Sequence, residues 1–326
     1  MKLGNGEWGV GNRKWGMENE EHKLPAPYSL FPIPSFAPLR LCVSFFPVVI
    51  IFTMLSFSGC SSAPKPPEEI FTERNTAINN LNLANHTASH GRYEEALFIL
   101  EEARRLAVST DDPPLRIKTS ISRGNFTFAL GHHSEAFDYW ESAASEGDAE
   151  GERALAALAR IYIIRGRLAL LDTDTGGIGA AVEELKGQLQ RQMVFVSSDP
   201  FSTAVGNVTL GLAEKQIGRW DEAESAVRRA LAFHEKELTL EDAAYDWFII
   251  ASVRSMAGNY DAAIEALRTA IRFDRRAENG YGLASSWQAM GDVLQKAGRT
   301  KESAEAWQRA ADIYRAINLP ELADKL

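Results

Sequence analysis

The densest run of oxygen ligands in this 326-residue chain is Asp172-Thr-Asp174-Thr-Gly176-Gly177, with Glu183 following. Acids at loop positions 1, 3 and 12, and glycine at 6, match the spacing of a calcium-binding helix–loop–helix. Position 5 is Gly176, which brings no side-chain oxygen, and position 9 is Ala180. An elaborated turn is therefore the reading adopted, with a calcium sensor using Asp172, Asp174 and Glu183 as the alternative. His86 and His90 stand four apart, a spacing at which two imidazoles on a helix can share a metal. Their segment, His-Thr-Ala-Ser-His, lacks the Glu of a zinc-protease helix, and it reads as a solvated helix end. No Gly-x-Ser-x-Gly, phosphate loop or dinucleotide fingerprint occurs. Carboxylates fall at periodic outer positions and read as solvated faces. The sequence thus points to no enzyme, no cofactor and no small-molecule substrate.

The elements that must carry these residues are set by a recurring turn. It reads Gly91-Arg-Tyr-Glu-Glu-Ala96, Gly131-His-His-Ser-Glu-Ala136, Gly218-Arg-Trp-Asp-Glu-Ala223, Gly258-Asn-Tyr-Asp-Ala-Ala263 and Gly298-Arg-Thr-Lys-Glu-Ser303. His133 stands where other copies place an aromatic residue. The glycines at 91 and 131, 218 and 258, and 258 and 298 are 40 residues apart, and the wider gap from 131 to 218 leaves room for one degenerate copy. Ahead of the turn come the pairs Leu83-Ala84, Leu210-Gly211, Ile250-Ala251 and Met290-Gly291, weakened to Arg123-Gly124 in the second copy. The small member lets a neighbouring helix approach. After the turn, small, large and small residues at +5, +9 and +12 share one helical stripe, as in Ala96, Leu100 and Ala103. Glycine suits the left-handed end of the first helix, and the following acids suit the first turn of the second. Each unit is a helical hairpin.

This pattern resembles the tetratricopeptide repeat (TPR), over about residues 68 to 318. Trp247 and Trp287 occupy the family's Trp position, whereas Asn80, Ser120 and Asn207 depart from it. The family's usual period is 34, so 40 implies longer helices or longer connections, as in arrays of the kinesin-light-chain type. The resemblance implies an all-α, right-handed superhelical solenoid of about six hairpins. The third copy, about 150–195, is expected to hold a long first helix over Glu152 to Leu171 and a second over Gly179 to Met193.

The resemblance also implies a binding groove lined by first-helix positions. By register these are Leu81 and Asn85, then Lys118, Ile121, Asn125 and Phe128 in the second unit. Later units supply Val208 and Leu212, then Tyr245, Phe248 and Ser252, then Gln288, Asp292 and Gln295. Asn85 and Asn125 match an Asn by which the family's chaperone-binding members hold a peptide. The carboxylate-clamping Lys of those members is replaced by Leu81 or Ile121, so that clamp is not expected. Tyr245 and Phe248 are the first choice for a hot spot.

Outside the array, residues 1–40 show no periodicity and read as an over-extended start or a disordered arm. Leu41 to Phe57 is almost wholly apolar behind Arg40, and the 41–60 segment reads as a secretory signal. Its end, Phe57-Ser58-Gly59-Cys60, resembles the bacterial lipobox, which implies lipidation at Cys60 and a membrane lipid anchor; the alternative is an uncleaved anchor on a cytoplasm-facing regulator. Ser61, in place of Asp, leans toward the outer membrane. Residues 61–69 form a Pro-rich tether, 70–318 the solenoid, and 319–326 a capping helix. The net charge of −9 argues against nucleic acid as a partner. The two cysteines, Cys42 and Cys60, both precede the array, so no disulfide staples it. The resulting expectation is a non-catalytic scaffold that faces the periplasm, binds another envelope protein or a peptide segment of one, and assists assembly of an envelope complex.

Overall fold

The computed structural model describes residues 71–171 and 178–326; Cys60, Asp172 and Asp174 lie outside them. Among the described residues the secondary structure is helical throughout, in thirteen helices. Six hairpins follow one another: α1 (Thr72–Ser89) with α2 (Tyr93–Ser109), α3 (Pro113–Ala129) with α4 (His133–Ala149), and α5 (Arg153–Leu170) with α6 (Ile178–Val196). Then come α7 (Pro200–Gln216) with α8 (Trp220–Glu237), α9 (Leu240–Met256) with α10 (Tyr260–Arg276), and α11 (Gly280–Lys296) with α12 (Thr300–Ala316). The four-residue α13 (Pro320–Ala323) closes the series. Consecutive helices pack against one another, which makes the fold a solenoid.

The long period lies in the helices. Most are 17 or 18 residues, and most connections are only three, as at 90–92 and 130–132. Hairpins begin at 72, 113, 153, 200, 240 and 280, so only the third unit is long, because residues 171–177 join its helices. Gly91, Gly131, Gly218, Gly258 and Gly298 all have positive φ. The residue after each donates its backbone N–H to a carbonyl five residues back, as Asn259 does to Arg254 at 2.8 Å. Connections between hairpins use the same device on other residues: Asp111, Leu238, Glu278 and Asn318 also have positive φ. Helix starts are marked where sequence chemistry allows. Asp112 and Asp199 accept hydrogen bonds from the N–H groups of Leu115 and Ser202, ahead of prolines at the first helical positions.

The repeated stripe forms the core. Ala96, Ala136, Ala223, Ala263 and Ser303 are all fully buried, as are Ala103, Ala143, Ala230, Ala270 and Ala310. The small residue before the turn works as a socket. A Cβ on Gly124 would lie 2.4 Å from Trp140 Nε1, and one on Gly291 would lie 2.4 Å from the same atom of Trp307. Trp140 is the centre of the second hairpin; its ring N–H donates to Asn125 Oδ1 at 3.0 Å, and its ring stacks on Tyr162 at 6.2 Å. Leu83 departs from its counterparts, being half exposed where Ile250 and Met290 are buried. Among the described residues no hairpin precedes the first one to cover it. At the other end Leu322 and Ala323 of α13 pack with Tyr281 and Tyr314 and cover the last apolar face.

Candidate functional site

The first helices of the hairpins line the inside of the curve, and their charges show how tight that curve is. Burial lowers the Lys118 pKa, and this ammonium feels Asp199, Asp112, Arg74 and Glu152. Those groups sit at the starts of α7, α3, α1 and α5, so four first helices converge there. Farther along, hairpins that are not neighbours meet directly. The buried Arg165 of α5 donates from Nη2 to the Tyr245 hydroxyl of α9 at 2.7 Å. His86 of α1 faces Glu241 of α9, with Nδ1 and Oε1 3.4 Å apart. A Cβ on Gly91 would lie 2.8 Å from the Tyr281 ring of α11. The first hairpin therefore touches the fifth and the sixth.

This curl changes the expected groove. Leu81, Ile121, Phe128 and Val208 are buried core residues. Tyr245 and Phe248, expected as an open hot spot, are only 7 % and 8 % exposed. Tyr245 is occupied by Arg165, whose guanidinium also sits 5.6 Å from its ring centre. Register places a residue on the inner row, but it does not show how far an opposite hairpin reaches across. Several polar positions serve the array itself. Asn125 holds Trp140, Ser252 accepts from Lys215 Nζ at 3.2 Å, and Gln288 accepts from the Tyr314 hydroxyl at 3.2 Å. Asn85 is buried as well. Asp292 Oδ1 accepts from the Trp307 ring N–H at 3.0 Å, and burial pushes its pKa up to about 6 against that bond. Lys118, Leu212 and Asp292 keep partial exposure, and Gln295 is exposed.

The calcium alternative is not favoured at its one described member. Glu183 is engaged by two cations, Lys186 at 3.2 Å and Arg219 at 3.0 Å. Their charge takes the place a metal would need.

Two features escaped sequence reasoning. One is a buried pair between the fourth and fifth hairpins: His234 Nδ1 lies 2.7 Å from Asp246 Oδ2, both side chains fully buried. Burial opposes a charged imidazole, but Asp242 and Asp246 outweigh it and raise the His234 pKa. Burial likewise raises Asp246, and it raises Asp242 to about 6. The cluster holds protons tightly. A sequence signal existed: forty residues on from His234 and Asp246 stand Asp274 and Ser286, and they too are bonded, at 3.3 Å. One register position bolts each of these hairpins to the next. The other feature is Glu241, which no local pattern connects to His86.

Residues 241–316 match the tetratricopeptide repeat family. That stretch holds the fifth and sixth hairpins. The likeness to TPR units is thus carried by two of the six hairpins. The remaining hairpins repeat its fold without being covered by the match. Among solved structures, BtubC (BKLC) from P. vanneervenii is similar at 16 % identity and a TM-score of 0.49, over 72 % of this chain and 92 % of that one. The MamA protein is similar at 15 % identity and a TM-score of 0.32, over 74 % of this chain and 93 % of that one. No curated protein matches the sequence. No described helix is long and apolar enough to cross a membrane.

Proposed function

We propose that this protein is a non-catalytic scaffold, held to a membrane by lipidated Cys60 on the exported side, that binds another envelope protein or a peptide segment of one. The observation that supports binding is the stack of TPR-like helical hairpins with Lys118, Leu212, Asp292 and Gln295 still accessible on the first-helix row. That row offers two charges, an amide and an apolar side chain, a mixture suited to a helix or an extended segment. Tethering rests on the sequence alone, on the apolar run ending in Phe57-Ser58-Gly59-Cys60. Several acyl chains would anchor the array stably, since a single chain binds only marginally. Once residues 1–59 are removed, 30 Lys/Arg and 40 Asp/Glu remain, so charge would not hold it to anionic lipid.

Mass spectrometry of the mature N-terminus tests the anchor: a diacylated Cys60 is expected, and an intact upstream segment would show the uncleaved anchor instead. Capture from an envelope fraction tests the row. Leu212→Ala combined with Gln295→Ala should weaken capture with helicity unchanged, and equal capture would move the site elsewhere.

A further inference from the structure

The rim where the first hairpin meets the fifth brings together two imidazoles and a carboxylate. His86 and His90 end α1, and Glu241 lies in the first turn of α9. One ligand atom from each lies within 4.8 Å of the other two. The rings of His86 and His90 are 4.5 Å apart, edge to face. The 3.4 Å between His86 Nδ1 and Glu241 Oε1 is long for a hydrogen bond. It suits two ligands on one tetrahedral ion, whose bonds of about 2.0–2.1 Å set ligand edges of roughly 3.4 Å. His90 Nε2 is buried without a hydrogen-bond partner among the described residues. Burial, and then the neighbouring His86, lowers the His90 pKa, which keeps a ring nitrogen lone pair available. The α1 carbonyl end also favours a cation. The nearby cation Arg92 is paired with Glu95 at 3.0 Å.

We infer that His86, His90 and Glu241 bind a divalent transition metal of the zinc type, which clasps the first hairpin to the fifth. Two imidazoles and one carboxylate are a borderline ligand set that suits zinc over calcium or magnesium. Three protein ligands leave a fourth position for water. Because the ligands come from hairpins four units apart, the metal would tighten the curl of the whole array and couple the shape of the inner row to metal supply.

The test is calorimetric titration of the metal-free full chain with zinc chloride, in parallel with His90→Ala and Glu241→Gln. One site per chain is expected, with affinity falling more than about tenfold in each variant. Circular dichroism checks that the variants stay helical, since both side chains lie at the rim. Zinc X-ray absorption on the loaded protein should show two imidazoles. Absence of saturable binding would overturn the proposal. So would a Glu241→Gln protein that binds like the parent, because the histidines would then act as a local pair without bridging hairpins.

Discussion

Two histidine–carboxylate contacts meet on the first two turns of α9. At the seam with the fourth hairpin, His234 and Asp246 are sealed from water and 2.7 Å apart. At the rim with the first hairpin, His86 and Glu241 are 3.4 Å apart and partly solvated. The seam joins hairpins adjacent in the chain, whose packing is already fixed by a two-residue connection, 238–239. The rim joins hairpins separated by three others, whose meeting depends on every angle between. In such an array the neighbour contacts can be dry and permanent. A long-range closure that stays solvated can open, and it can exchange partners.

The largest effect should come from breaking the seam. Asp246→Ala leaves His234 buried without its acceptor, which should cost about 3–5 kcal/mol in denaturant unfolding. A loss near that of a surface variant would mean the pair is not part of the fold.

Asp242 gives the seam a pH signature. Its folded pKa of about 6 lies above the ordinary 3.8, so the folded chain keeps a proton that the unfolded chain releases. Its stabilising contribution is full below about pH 3.8 and declines as pH rises to about 6, by at most about 3 kcal/mol. Melting temperatures from pH 4 to 7 should fall more steeply for the parent than for Asp242→Asn. Parallel curves would place the proton elsewhere.

The rim side can be probed beside it. Tyr245→Phe removes the acceptor of Arg165 across the curl, an expected loss of about 1.5–3 kcal/mol. Retained stability would show that the third and fifth hairpins do not depend on each other. A smaller, differential effect comes from two glycines. Gly91 and Gly258 share a positive φ, but a Cβ on Gly258 meets nothing within 4 Å, whereas one on Gly91 meets Tyr281. Gly258→Ala should cost about 1–2 kcal/mol from backbone strain. Gly91→Ala should cost measurably more, and equal costs would remove the contact with the sixth hairpin.

Neighbour relations were legible in the sequence, and distant ones were not. The turn glycines announced themselves because only a residue that tolerates positive φ ends a helix so abruptly. The Ala96–Leu100–Ala103 stripe predicted burial because one helix packs on the next at fixed spacing. Tyr245 and Phe248 show a related limit: period places them on the inner row, but Arg165 reaches Tyr245 from a hairpin two units back, and Phe248 packs into the core shared by the fourth to sixth hairpins. Glu241 lies 155 residues beyond His86, a separation that only the winding of the array converts into contact. Leu83 shows the complementary limit, since a repeated pattern cannot mark which copy stands at the end of the described array.

The closed curl is tested most directly by a nuclear Overhauser experiment on the chain with labelled glycine and tyrosine. A cross-peak between the Gly91 Hα protons and the Tyr281 ring, lost in Tyr281→Ala, is the predicted result. A well-folded spectrum without that cross-peak would mean that the first hairpin stands apart from the sixth.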